Sequence, residues 1–107
     1  MAQKHSYALE YAPIAYDDLD GIFAYIAGEL ESPEDAYGLI LRIEAAVLAL
    51  SDFPYRVALA RDAALAQKGL RMLVVDNFAV FFIIDEERNA VSIRRILYGR
   101  RDFQWLL

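Results

Sequence analysis

Cysteine is absent from these 107 residues, and histidine occurs once, as His5. The first absence excludes disulfides and thiolate metal sites and fits a reducing compartment. The second leaves a single imidazole, close to the N-terminus where chains commonly fray, for any acid–base or metal chemistry. Glycine is scarce, five in all, and none forms a phosphate-cradling loop. No serine sits in a nucleophile-elbow context. A metal would need an all-carboxylate site. The nearest approach, Asp17, Asp18 and Asp20, falls early in a helical pattern, where acids ordinarily serve the helix dipole and solvation. No metal and no cofactor are therefore expected. No basic–apolar–small leader pattern opens the chain. The longest apolar run, FAVFFII, is far short of the roughly 20 residues a membrane helix requires. A soluble cytoplasmic protein is expected.

What is present is apolar and unevenly charged. Hydrophobic residues make up 58% and charged ones 25%, with 13% aromatics. That is enough to fold, and more than one modest core of this size uses. A single domain over residues 1–107 is expected, with the surplus covering a partner. The net charge is −5, but its halves differ. Residues 1–52 hold ten acids against Lys4 and Arg42, a balance of −8, whereas residues 53–107 hold six acids against nine bases, a balance of +3. Much of that positive charge stands in one stretch, RRILYGRRDF at residues 94–103. Such asymmetry implies an acidic side and a local site for an anionic group.

Periodicity orders the chain. HSYALEYAP alternates and stops at Pro13, which predicts a first strand. Ala15, Leu19, Ile22, Phe23, Ile26 and Leu30 then recur at helical spacing, with Asp17, Asp18, Asp20 and Glu29 on the other face. ESPEDA restarts the count: Ser32 suits an N-cap, Pro33 the first helical position and Asp35 a capping box. Ala36, Leu39, Ile40, Ile43, Val47 and Leu50 carry a second helical stripe, so the two helices form a hairpin. YRVALARDAALAQKG reads as a short strand and a loop. LRMLVV, FAVFFII and AVSIRRILY, punctuated by Asp76-Asn77 and Glu86–Asn89, are three further strands. The fold class is α+β: an N-terminal strand and a helical hairpin packed on a small antiparallel sheet, in the order β-α-α-β-β-β. The strands are too continuously apolar for one wet face, so a partner or the C-terminal segment is expected on the side away from the helices.

The arginines are the chemistry that remains. Arg71 lies on one strand, Arg94 and Arg95 on the last, and Arg100 and Arg101 just past Gly99. If neighbouring strands bring Arg71 beside the last one, a cluster with Tyr98 and Lys68 results. Guanidinium groups in such a cluster bind phosphate or carboxylate and stabilise charge in phosphoryl transfer. Arg94 and Arg95 point to opposite faces of a regular strand, so only one joins the cluster unless a bulge intervenes. The plainer alternative is a solvated face, with Arg100 and Arg101 pairing locally with Asp102 for under about 1 kcal/mol.

The stretches YALEYAPIAYDDLDGIFAYIAGEL, GLRMLVVDNFAVFFIID and VSIRRILYGRRD, in this order and spacing, resemble the RelE/ParE superfamily of toxins. These belong to bacterial type II toxin–antitoxin systems and are also known as plasmid stabilization proteins. The resemblance covers nearly the whole chain. It implies the β-α-α-β-β-β fold, a bacterial cytoplasmic setting, and an antitoxin whose C-terminal part wraps the sheet and helices. A homodimer or a toxin–antitoxin heterotetramer is implied as well. It also implies one of two targets. RelE-like members cut mRNA in the ribosome with a basic-x-Lys pair, an Arg on the next strand, an Arg after the last strand and a late Tyr. Carried over, Arg71 and Arg101 fit, while Leu73, Ala79 and Leu107 replace the Lys, the second Arg and the Tyr; Tyr98 stands elsewhere. A −5 surface also suits a ribosomal polyanion poorly. ParE-like members poison DNA gyrase and need no such constellation. Three readings follow. The first is a ParE-like growth inhibitor acting on gyrase, without enzymatic chemistry of its own. The second is a ribosome-dependent mRNA endoribonuclease using Arg71, Arg101 and Tyr98. The third is a non-toxic member kept for antitoxin binding and autoregulation. Arg71, Arg94, Arg95, Tyr98, Arg100 and Arg101 are the residues expected to meet target or antitoxin, with an acidic antitoxin tail over RRILYGRRD and either solvent or a basic stretch of another chain facing the acidic helices.

Overall fold

The computed structural model describes residues 6–99. Arg100 and Arg101, two of the expected binding residues, and Leu107 lie outside the described residues. Strand β1 is Ala8–Tyr11, helix α1 Pro13–Ala24, α2 Pro33–Ala49 and α3 Ala63–Gln67, followed by β2 Arg71–Val75, β3 Phe78–Asp85 and β4 Ala90–Tyr98. Prolines at Pro13 and Pro33 open the two long helices, where a missing N–H costs nothing. A π-helical turn over Tyr25–Glu29 follows α1, and Glu31 takes a φ of 51° to reverse the chain into α2. Ser32 caps otherwise than expected. Its hydroxyl donates to the Asp35 carboxylate (2.6 Å) and no side-chain bond reaches a backbone N–H. The acids of α1 begin at Asp17, after the first turn, so they do not serve the dipole as expected.

The sheet order is β1-β4-β3-β2. Strands β2, β3 and β4 form the antiparallel meander expected, with Asp76 at a φ of 54° turning the first hairpin. The all-antiparallel expectation fails only at β1, which runs parallel to β4 with Ala8 opposite Ala90 and Tyr11 opposite Ile93. Parallel neighbours need a long crossover rather than a hairpin, and the helices and meander between these two strands supply it.

Two apolar layers enclose the sheet. Leu19, Leu39, Ile43 and Val47 pack with Val80, Phe82, Val91, Ile93 and Ile96 on the helical side. On the other side Ala79, Phe81 and Leu97 are buried with Ala60, Leu65 and Leu70. That second layer narrows the room for the expected partner or C-terminal segment, because the chain covers much of this face itself. It does so with α3, where a loop was expected. Asp62 Oδ1 accepts from the N–H groups of Ala64 (2.9 Å) and Leu65 (3.2 Å), and Gly69 follows at a φ of 81°. An N-cap acid and a closing glycine define even this short helix.

Strand β4 carries a bulge. Phe82 pairs with Ile93 but Phe81 pairs with Arg95, so Arg94 is the additional residue. Ile93 and Ile96, three apart, consequently bury in the same layer, where regular alternation would place them on opposite faces.

Candidate partner-binding surface

The bulge decides what each arginine of β4 can do. Arg95 donates through Nε to Asp18 Oδ2 (2.8 Å) and through Nη2 to Asp18 Oδ1 (2.9 Å). The backbone N–H of Ile96 donates to the same Oδ2 (2.9 Å). Both side chains are largely buried, 15% exposed for Arg95 and 11% for Asp18. The hydrogen bonds to Asp18 hold the Arg95 pKa above the ordinary guanidinium value, against the desolvation that would lower it. One carboxylate thus ties α1 to β4 and satisfies an N–H beyond the end of β1. Arg95 is therefore engaged within the fold, its guanidinium held by Asp18. Arg94 is exposed and makes no ion pair among the described residues.

The expected cluster of Arg71 with Tyr98 does not form. Arg71 pairs with Phe82 at one end of the sheet, while Tyr98 pairs with Phe78, itself opposite Val75, at the other. Four strand residues separate these positions by roughly 13 Å, and β3 lies between their strands. Arg71 instead donates through Nη1 to the Val57 carbonyl (2.6 Å), and its guanidinium lies 4.9 Å from the centre of the Tyr55 ring. Tyr55 donates to Glu86 Oε2, which also accepts from Tyr7 (2.8 Å). Burial, then the hydrogen bond and charge of Glu86, push the Tyr7 phenol up to about 12. The Glu86 hydrogen bond is the leading cause of a rise at Tyr55 as well. This network pins residues 54–57 and the chain entering β1 to the β3–β4 turn. Lys68 is the C-cap residue of α3.

The opposite end is open. Tyr98 is 41% exposed, its ring edge-on to Phe78 at 5.7 Å. Gly99 donates its N–H to the Asn77 carbonyl (2.7 Å), and a β-carbon there would lie 3.1 Å from that oxygen. Met72, Val74, Phe78, Ala79 and Gly99 line a shallow apolar recess of about 290 Å³ beside the Asp76-Asn77 turn. Tyr98 and Gly99 close this end of β4. Of the four expected residues described, only Tyr98 stands at this end; Arg94, exposed at the bulge, lies at the level of Phe81 and Phe82.

Among the described residues, two positions corresponding to a ribonuclease site fall on opposite sides of the sheet. Leu73 packs on the helical layer, whereas Ala79 is 1% exposed within the opposite one. The partner of Arg95 and the two-tyrosine role of Glu86 had no local signal. Asp18 reads as an ordinary helix acid, and Arg95 stands 77 positions away.

A model of the ParE toxin of type II toxin–antitoxin systems, parDE, matches residues 9–103. No sequence among curated proteins matches the chain significantly. In three dimensions the chain is similar to a chain of a chromosomal ParDE toxin–antitoxin system from P. aeruginosa. The TM-score is 0.71 at 23% identity, covering 88% of this chain and 97% of that one. It is also similar to a chain of the toxin–antitoxin complex RelBE2 from Mycobacterium tuberculosis. There the TM-score is 0.60 at 20% identity, covering 92% and 97%. At these identities the likeness establishes a shared fold.

Proposed function

Because this chain belongs to the ParE toxins of type II toxin–antitoxin systems, we propose that it is a cytoplasmic bacterial growth inhibitor acting on DNA gyrase and neutralised by a cognate antitoxin. The observation that carries the choice of target is the pair Leu73 and Ala79. Both are apolar and they lie in opposite layers of the molecule. General acid–base groups contribute about 10²–10⁴-fold to such cleavages and must meet at one reacting phosphate. Arg71, the match to a ribonuclease among the described residues, is engaged by Val57 and Tyr55. A toxin that acts by binding needs only a surface, and Arg94, Tyr98, Arg100 and Arg101 are its proposed residues, with the acidic part of the antitoxin covering them at rest.

Regulated expression in a bacterial host, with a gyrase cleavage assay and primer extension on mRNA, tests this reading. Growth arrest with accumulated gyrase–DNA cleavage complexes and intact mRNA is expected. Changing Arg94, Arg100 and Arg101 together to Glu should abolish the arrest with circular dichroism unchanged, and Tyr98→Phe should change it little. Codon-specific mRNA cuts lost in Arg71→Ala or Tyr98→Phe would replace gyrase by the ribosome.

A further inference from the structure

The acidic hairpin carries a second recess, away from the arginines. It lies between α1 and α2, about 330 Å³ in volume, with Leu19 and Ile40 among its lining. Tyr11 and Tyr16, stacked at 5.0 Å between ring centres, line it together with Phe23, whose ring meets Tyr37 edge-on at 5.3 Å. The carboxylates are Asp20 from α1 and Glu44 from α2. Both are exposed, and neither has an ion pair or hydrogen bond among the described residues. Burial, followed by the charge of Glu44, raises the Tyr11 phenol above its usual value, so the carboxylate is felt inside the groove. No lysine or arginine lines it.

Aromatic faces beside unpaired carboxylates attract a cation twice over, through the ring quadrupole and through charge. Arginine suits the combination better than lysine, because a planar guanidinium stacks on a ring while its edge pairs with a carboxylate. The surroundings say what carries it. Exposed Tyr16, Tyr37 and Leu41 flank the groove, and a bare cation would leave them wet. A second copy of this chain is a poor occupant, since the same hairpin exposes Asp17, Glu29, Glu31 and Glu34 and two such faces repel.

We propose that this groove receives an arginine from a basic amphipathic segment of the antitoxin, the guanidinium lying on the aromatic rings and pairing with Asp20 and Glu44. The proposal rests on the reading of this chain as the toxin of a pair. It adds a property to the partner: a basic block for the hairpin, distinct from the acidic block expected over the arginine end of the sheet.

The test uses the full chain and three synthetic amphipathic peptides of one leucine pattern, differing only in carrying Arg, Lys or Glu at the polar positions. Fluorescence anisotropy of the labelled peptides should show binding of the Arg peptide, several-fold weaker binding of the Lys peptide and none of the Glu peptide. Asp20→Asn with Glu44→Gln should weaken the Arg peptide about tenfold, equal to about 1.4 kcal/mol. Tyr16→Leu with Phe23→Leu should erase the preference for Arg over Lys. The control pair Glu31→Gln with Glu34→Gln should change nothing. Equal weakening by the control pair would reduce the effect to general acidity and overturn the proposal. So would a preference indifferent to the rings, or a dimer of the free chain that Asp20→Lys dissociates. Co-purification of the protein encoded beside this gene reads the underlying assignment separately. If that protein binds equally well to the Asp20→Asn, Glu44→Gln variant, the groove is wrong and the toxin reading stands; if it binds neither form, the toxin reading fails.

Discussion

The two ends of the sheet are built from similar residues and used in opposite ways. Where β2 begins and β3 turns into β4, the arginines and Glu86 are engaged. Arg71 is held by Val57 and Tyr55, Glu86 takes two phenols, and Arg88 pairs with both Glu10 and Asp85. Where β4 ends, Tyr98 and Val74 stand exposed beside an apolar recess, and Arg94 is exposed at the bulge. An arginine count does not distinguish these regions; the availability of a partner carboxylate or carbonyl does. Within β4 itself the contrast narrows to neighbours, Arg95 locked by Asp18 and Arg94 free to meet something else. A charged residue is thus a candidate for recognition only after the fold has declined to use it.

The sharpest way to break the comparison is Asp18→Ala. It leaves Arg95 largely buried without its carboxylate and removes the acceptor of the Ile96 N–H. Stranding one partner of a buried pair costs about 3 kcal/mol or more, so the denaturation midpoint should fall steeply, while Arg94→Ala should stay within about 0.5 kcal/mol. Equal small effects would show that the two arginines are not differently employed.

Alkaline titration probes the engaged end. Tyr7 ionises near 10.0 when unfolded and is pushed up to about 12 in the fold. Below pH 10 both states keep the proton and the full contribution to stability is present. As pH rises from about 10 through about 12 the unfolded chain ionises first, and the contribution is lost. Glu86→Gln should lower the Tyr7 value only in part, since burial is its leading cause, and tyrosinate absorbance reads this directly. An unchanged titration would detach Glu86 from the network.

The smallest effect belongs to the exposed pair of Arg42 with Asp76, joined at 2.6 Å. Arg42→Ala should alter stability by less than about 1 kcal/mol, and less again at high salt. A larger loss in thermal denaturation would mean that the open end relies on this link to α2.

Local features of the sequence were sufficient for the meander, because Asp76-Asn77 and Glu86–Asn89 punctuate strongly apolar strands. The two long helices were equally visible through their three-and-four spacing. What escaped was set by distance along the chain. Nothing near Ala8 announces that it will lie parallel to Ala90, and nothing near Asp18 names Arg95. Arg71 and Tyr98 looked like neighbours because their strands are close in sequence, but register places them at opposite ends. The short α3 was legible in principle from Asp62 and Gly69, and the run of alanines between them obscured it. Of the site, only Arg94 and Tyr98 could be followed from expectation to an exposed position.

The parallel pairing of β1 with β4 also sets a clock. Asp18 is made 77 positions before the arginine that closes on it. At about 5–20 residues per second a ribosome needs on the order of ten seconds to supply that strand. Until β4 is made, β1 has no strand beside it and the helical hairpin has only β2 and β3 to cover, so neither can reach its final packing. A newly made toxin therefore passes through a harmless period fixed by its topology, in which a partner already present can arrive before the weapon is assembled.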